Sequence, residues 1–489
     1  MVITMDRKET TGSEEMRCKG GSEGSGKTGG GRNRKLAAVL LAVLAAVLGA
    51  CGSAAAPEEE AVAVQTSAVL EGAAGETAPE TPAGEAAQEE AGSREQPGFE
   101  TYPSLARLLE PYGIVFGTVI NYGNMRDERF LELAKGHFNS LTTANEMKAY
   151  SLLDQSASQK SGDGMPAMNY GPADEILAFA QENGIGVRGH ALVWDAYMTD
   201  WFFREDYDAD KGYADQDTLR RRLESYITQV VTHFETNYPG VVYCWDVVNE
   251  AVGDGADSYV QGDLRHIRAK RDGKDNPFYA LVGEDYTELA FLYARDAVEA
   301  LQAADPSVDI RLIYNDYNAF YPDKRAAICA LVESINSYAE DEDGTARRLC
   351  DGVGMQSYIG GYGTQNGCMN FGDIEKIRTA VEAYAALGME VHATEMAVRN
   401  YEAGEPYAGV HARFYRQLFE MYVSLNQDGN GPLTGISIWG LIDRPNLSRS
   451  DYSYLMNGPY CGLFTEDYAV KESFLEIYEL LSQQGTVTE

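Results

Sequence analysis

Beyond Phe99 the chain repeats one unit: a short apolar, β-rich run closing on a polar residue, then a loop, then an amphipathic helix. The runs cover Ile114 to Val119, Phe138 to Thr142, Val187 to Trp194, Val241 to Val248, Ile310 to Tyr314, Gly352 to Gln356, Val391 to Met396 and Ile436 to Trp439. Between the third and fourth runs, Leu219, Leu223, Ile227, Val231 and Phe234 mark one helical face that stops at Pro239-Gly240. Similar helices are readable from Glu288 to Leu301, Ala326 to Ile335 and Glu375 to Leu387. Continuous apolar strands alternating with such helices fit a parallel sheet covered by helices on the outside. Eight units within residues 99–489 predict an α/β fold, a (β/α)8 TIM barrel with enlarged loops. A doubly wound open sheet is the alternative, but it would normally offer a Gly-rich first turn, and none follows Val119.

The chain carries 75 Asp and Glu against 40 Lys and Arg, a formal net charge of −35. A field of that sign repels a phosphate backbone, so no nucleic acid is expected as a partner. Neutral ligands recognised by hydrogen bonding and stacking remain open, with 31 Tyr, 16 Phe and 4 Trp available as surfaces. The seven Cys are too few for a disulfide scaffold and form no close CxxC pair. No metal or cofactor is expected. Of the five Cys beyond Cys51, at least one is unpaired within the chain, and Cys244 reads as a small buried hydrophobe on a strand. Asp206, Asp208 and Asp210 have calcium-loop spacing, but Lys211 stands where a Gly would make the turn, so they read as a solvated loop.

Residues 1–50 read as an N-terminal extension and export signal. Arg32, Arg34 and Lys35 precede an unbroken apolar run from Leu36 to Ala50, a charged region followed by a hydrophobic one too short to span a bilayer comfortably. The run ends in Leu48-Gly49-Ala50-Cys51, which resembles the lipobox of bacterial lipoproteins, whose Cys is acylated. The resemblance implies a chain lipid-anchored through Cys51 at the extracellular face of the cell membrane, touching the membrane only through that anchor. Residues 51–98 are rich in Ala, Glu and Pro, with nine Glu between Glu58 and Glu90 and no Lys or Arg among them. Such a stretch cannot bury a core and reads as a disordered acidic linker. Gly21 to Thr28 satisfies the phosphate-loop pattern, but no strand precedes it and an export signal follows, so nucleotide binding is rejected.

In a barrel of this kind the active site is assembled at the C-terminal ends of the strands. Here those ends read Asn145-Glu146-Met147-Lys148, Arg188-Gly189-His190 with Trp194, Asn249-Glu250, Asn315 to Asn318, Gln356-Ser357-Tyr358, Thr394-Glu395 and Trp439-Gly440. A ring of amides, carboxylates and indoles suits a sugar. Glu250 and Glu395 end the fourth and seventh strands, and two carboxylates flanking a glycosidic bond can divide the work between proton transfer and nucleophilic attack.

Trp245-Asp246-Val247-Val248-Asn249-Glu250 resembles the acid/base motif of glycoside hydrolase family ten, whose members are mainly endo-1,4-β-xylanases. The resemblance extends in order through Phe116-Gly117, Thr142 to Lys148, Arg188 to Trp194, Asp200-Trp201-Phe202, Tyr314 to Asn318, Gly354 to Ser357, Thr394-Glu395 and Trp439-Gly440. It implies hydrolysis of internal β-1,4-xylosidic bonds with retention of configuration, Glu395 as nucleophile and Glu250 as acid/base. It further implies that Asn249 bonds the sugar 2-hydroxyl, that Asn145, Lys148, His190, Trp194, Gln356 and Trp439 line the glycone side, and that Tyr317 lies near an aglycone platform. Xylan and xylo-oligosaccharides are the expected partners of a monomeric chain.

The pattern is broken at several positions. The family's Glu before Asn145 is Ala144, the aromatic after Lys148 is Ala149 with Tyr150 next, and the His after Trp194 is Asp195. The His after Gln-Ser is Tyr358 and the Asp two residues past the nucleophile is Ala397, while a second Trp is not evident between Asp443 and Tyr454. In the family that His and Asp form a relay behind the nucleophile; their joint loss predicts that the Tyr358 hydroxyl donates directly to Glu395. Two alternatives stand beside the xylanase reading: a surface lipoprotein that binds xylan or oligosaccharides without cleaving them, and an endo-β-1,4-glucanase using the same carboxylates.

Overall fold

The computed structural model describes residues 97–341, 343–360, 369–446 and 457–484. The expected export signal, Cys51, the acidic linker up to residue 96, Cys368 and most of the segment searched for a second Trp lie outside these residues.

Eight strands close into a parallel barrel: β1 Val115–Ile120, β2 Ser140–Thr143, β3 Gly186–Val193, β4 Val242–Asn249, β5 Arg311–Tyr317, β6 Gly352–Ile359, β7 Glu390–Val398 and β8 Leu433–Ile438. Each pairs with its neighbours in sequence, and β1 closes the ring on β8 through Val115 to Thr118 against Gly435 to Ile438. A principal helix follows each strand: α1 Glu128–His137, α2 Gly171–Glu182, α3 Gln216–Asn237, α4 Tyr286–Ala304, α5 Pro322–Asn336, α6 Gly372–Ala386, α7 Tyr407–Leu425 and α8 Glu472–Gln484. The alternation in the sequence is therefore the alternation in the fold.

Local chemistry starts and stops these elements where the sequence permits. Asp127 caps α1 by accepting from Phe130 N, Asp215 caps α3 by accepting from Thr218 N, and Pro322 opens α5 without losing a needed donor. The α3 stripe of Leu219, Leu223, Ile227, Val231 and Phe234 is fully buried, and Gly240 takes a left-handed turn just before β4.

Three strands outrun their apolar runs by two or three residues: β5 continues through Asn315, Asp316 and Tyr317, β6 to Ile359 and β7 to Val398. The polar continuation of β5 keeps its register with β6, with Asn315 opposite Gly354 and Tyr317 opposite Gln356. Hydropathy marks a strand end where polar residues begin, but polar side chains that satisfy one another can stay in the ladder. Two glycines make the necessary room. A Cβ at Gly189 would meet the Trp245 ring at 2.3 Å, and one at Gly354 would meet Asn315 Oδ1 at 2.2 Å.

Cys244, Cys329 and Cys350 are free thiols; Cys244 is buried on β4 as expected, its sulfur accepting from Arg188. Asp206 is exposed and paired with Lys211 at 2.7 Å, and no cluster of metal-ligating side chains occurs among the described residues.

Candidate active site

The strand ends bring Glu250 and Glu395 into one buried network. Glu250 directly follows β4 and Glu395 lies within β7, and they are only 8% and 7% exposed. Both adopt left-handed backbone, with φ of 57° and 48°. Non-glycine residues avoid that region unless their surroundings enforce it, and such positions concentrate at functional sites.

Asn249 stands at the junction between the two carboxylates. Its Oδ1 accepts from Asn315 Nδ2 at 2.9 Å and from Gln356 Nε2 at 3.2 Å. Asn315 Nδ2 also reaches Glu395 Oε1 at 3.3 Å, and Gln356 Nε2 also reaches Glu250 Oε1 at 3.3 Å. Thr394 Oγ1 fixes the other end of the Asn315 amide by donating to Oδ1 at 2.6 Å. The Nδ2 of Asn249 is buried and has no protein acceptor among the described residues, which leaves a donor for a ligand.

Glu395 is supported from the barrel wall. Tyr358 donates its hydroxyl to Glu395 Oε2, the contact expected from the missing His and Asp. The exchange is local: Tyr358 and Ala397 are register partners on β6 and β7, so a large side chain stands opposite a small one. The hydroxyl is thus engaged by the carboxylate. Burial, and then the adjacent Glu395, hold the Tyr358 phenol well above its ordinary value, so it remains a donor. Burial pushes Glu395 upward as well, while His190 and the Tyr358 hydrogen bond pull it back.

Behind Glu395 runs a chain of charge. His190 Nε2 lies 3.9 Å from Glu395 Oε1, and its Nδ1 meets Asp246 Oδ2 at 2.9 Å. Asp246 in turn pairs with the fully buried Arg188, whose Nε donates to Oδ2 at 3.2 Å. Arg188 also contacts His392, and burial followed by that guanidinium drives His392 well below its ordinary value, so it is neutral. Sequence reading placed His190 in the site but missed Asp246 and Asn315 as its support, although both lie within the strand-end motifs.

The remaining expected residues divide by location. His190 packs edge-on between Trp194 and Trp439, at ring distances of 5.7 and 6.3 Å. Lys148 donates to Asn145 Oδ1 at 3.2 Å and sits 4.9 Å over Trp194 and 4.0 Å over Tyr197. These residues form one group beside Glu395, in keeping with the electrostatic contact between Lys148 and that carboxylate. Tyr317 lies elsewhere, its hydroxyl accepting from Arg268 at 3.0 Å and donating to Asp254, while Lys324 covers one ring face at 4.2 Å. Next to it, Asp316 is pushed up to about 6, by burial before all else, with Lys324 opposing.

Arg268 and Arg271 are the residues that sequence reading missed most completely. Arg268 Nε donates to the Glu250 carbonyl at 3.1 Å, and Arg271 Nη1 donates to Glu250 Oε2 at 2.9 Å. A signal for the second existed. Lys270–Arg271 and Lys274–Asp275 form an antiparallel hairpin whose turn is Asp272-Gly273, both with positive φ, and Asp-Gly between short strands is a strong hairpin mark.

A sequence model of glycosyl hydrolase family 10 matches residues 104–480. A putative endo-1,4-β-xylanase of Caldicellulosiruptor saccharolyticus is 35% identical over 321 residues, 64% of this chain and 90% of that protein. Endo-1,4-β-xylanase B of Butyrivibrio fibrisolvens is 34% identical over 343 residues, covering 70% of this chain but only 48% of that longer protein. Among solved structures, the CBM22-1 and GH10 modules of Clostridium thermocellum xylanase 10B complexed with xylohexaose superpose with a TM-score of 0.64 at 28% identity, over 78% of this chain and 68% of that one. Native xylanase 10B of Thermotoga maritima gives 0.58 at 28% identity, over 78% of this chain and 98% of that one.

Proposed function

We propose that this chain, which belongs to glycosyl hydrolase family 10, is an endo-1,4-β-xylanase that cleaves internal bonds of xylan with retention of configuration. The observation that carries the reading is the pair Glu250 and Glu395: both buried, both in left-handed backbone, and bridged through Asn249 by Asn315 and Gln356. The named xylanases among its relatives supply the substrate class.

In the first half-reaction Glu395 attacks the anomeric carbon while Glu250 gives its proton to the departing glycosidic oxygen. In the second, Glu250 takes a proton from water, the water oxygen bonds the anomeric carbon, and the ester bond to Glu395 breaks with its electron pair returning to the carboxylate. Asn249 Nδ2, without an acceptor among the described residues, offers a donor to a sugar hydroxyl beside the reacting carbon. Trp194 and Trp439 supply apolar faces and Lys148 a cation on the glycone side. No step requires a cofactor.

The same reading extends to the leader, where Leu48-Gly49-Ala50-Cys51 supports lipid anchoring outside the cytoplasm. Incorporation of labelled fatty acid that Cys51→Ala abolishes is the expected result; a fully soluble, unlabelled wild-type chain contradicts it.

The activity is tested by incubating the full chain with xylan, mixed-linkage β-glucan and cello-oligosaccharides. Release of xylo-oligosaccharides from xylan is expected. Preferential cleavage of β-glucan or cello-oligosaccharides transfers the assignment to a glucanase, and retained xylan binding without any cleavage transfers it to a sugar-binding protein.

A further inference from the structure

Glu250 is gripped by a cation that is itself gripped. Arg271 meets Asp195 through two parallel bonds, Nε to Oδ2 at 2.9 Å and Nη2 to Oδ1 at 2.7 Å. Its remaining nitrogen, Nη1, donates to Glu250 Oε2 at 2.9 Å. The Arg271 side chain is only 18% exposed and that of Asp195 only 6%, so the arrangement is an oriented, partly desolvated fork and not a loose surface pair. Asp195 is also a position at which the chain departs from its family, so the clamp and the departure coincide.

The surroundings of Glu250 isolate the effect of this cation. From β6 come the neutral amide of Gln356, on Oε1, and Tyr358; from β7 comes Glu395; from β5 come Asp316 and Tyr317. Glu395 and Asp316 are the acidic members of that set. Arg268 addresses the Glu250 carbonyl, not its carboxylate, and is 3.4 Å from Asp254. Among the described residues, Arg271 is thus the cation in direct contact with the Glu250 carboxylate.

We propose that Arg271, clamped by Asp195, is a positioning residue whose ion pair with Glu250 Oε2 favours the half-reaction in which Glu250 accepts a proton from water. This deepens the hydrolase reading and rests on it. Arg271 keeps its own proton throughout; the transferred proton passes only between Glu250 and the leaving oxygen or the incoming water. When Glu250 must donate, the same pairing opposes it, and the hairpin therefore sets the pH window in which the two half-reactions balance.

The test uses two substrates and the full chain. On xylotetraose, the alkaline limb of kcat/KM follows loss of the proton that Glu250 must give. On an aryl β-xylobioside with a good leaving group, the first step needs little acid help, so kcat follows the second step, and its acid limb reports Glu250 while Glu395 is esterified. Arg271→Gln is expected to move both limbs to higher pH by about one unit, the lower end of what a neighbouring opposite charge produces. Arg271→Lys keeps the charge and is expected to leave both limbs near wild type with a reduced rate, and its melting temperature compared with that of Arg271→Gln separates unfolding from titration. A uniform loss of rate with both limbs in place in Arg271→Gln overturns the proposal, as does the same shift in Arg271→Lys. A wild-type chain that turns over neither substrate defeats the hydrolase reading itself, an outcome distinct from wild-type turnover with unmoved limbs.

Discussion

The two carboxylates share one barrel and one backbone conformation, yet different parts of the molecule hold them. Glu395 is supported from the barrel wall, by Tyr358 on β6, Asn315 on β5 and His190 on β3, with Asp246 and Arg188 behind the histidine. Glu250 shares the barrel amide Gln356, but its charged partner comes from the hairpin of residues 270–275, outside the barrel. The difference fits the proposed division of roles. A nucleophile needs fixed geometry and tolerates support built into the core, whereas a group that passes a proton each cycle can take its ionic partner from a loop that variation can add or remove.

The strongest way to break this comparison is to remove each carboxylate in turn. Glu395→Ala is expected to lower kcat on xylan by at least about 10⁴-fold, as for loss of an enzymic nucleophile. Glu250→Ala is expected to lose about 10²–10⁴-fold on xylan, the range for a general acid or base. Added azide, a nucleophile needing no base, is expected to restore turnover of an activated aryl xylobioside to both variants with opposite products: the β-azide from Glu250→Ala, by two displacements through Glu395, and the α-azide from Glu395→Ala, by one direct displacement. The α-azide from Glu250→Ala, or the β-azide from Glu395→Ala, would mean that the division of roles is wrong.

Next in size is the core support of Glu395. Asp246→Asn leaves Arg188 buried without its counter-charge, and breaking such a pair costs about 3–5 kcal/mol. Urea denaturation should show that loss together with a fall in kcat. Full stability with normal kcat would mean that the Arg188, Asp246 and His190 chain does not hold the site.

The smallest effect sharpens the comparison. Tyr358→Phe removes a hydrogen bond that favours charged Glu395, so the carboxyl titrates higher and the nucleophile is lost at a higher pH as the solution is acidified. The acid limb of kcat/KM should move up by about one unit, since bonds to charged groups contribute about 1.5–3 kcal/mol and one unit is about 1.4 kcal/mol. An unmoved acid limb would show that Tyr358 only fills the space opposite Ala397.

What the sequence makes legible follows the range of the interactions. The barrel is readable because each strand and helix declares itself within a dozen residues, as in the α3 stripe from Leu219 to Phe234. Glu250 and Glu395 are readable because their flanking motifs are contiguous. The Tyr358 contact is readable only because two departures, Tyr358 and Ala397, point to the same place, where they prove to be register partners. Arg271 is not readable in the same way. Its partner Asp195 lies 76 residues earlier, and no local pattern links an Asp after β3 to a hairpin after β4. The Asp272-Gly273 turn announces the hairpin but not what its side chains will touch.

The central claim, that Glu395 is the nucleophile of a retaining hydrolase, is tested most directly by trapping the glycosyl-enzyme. The full chain is treated with an activated 2-deoxy-2-fluoro xylobioside, digested with protease and mapped by mass spectrometry. Time-dependent inactivation with one sugar adduct on the peptide bearing Glu395 is the predicted result. An adduct on Glu250, or sustained xylan hydrolysis with no adduct anywhere, would contradict it.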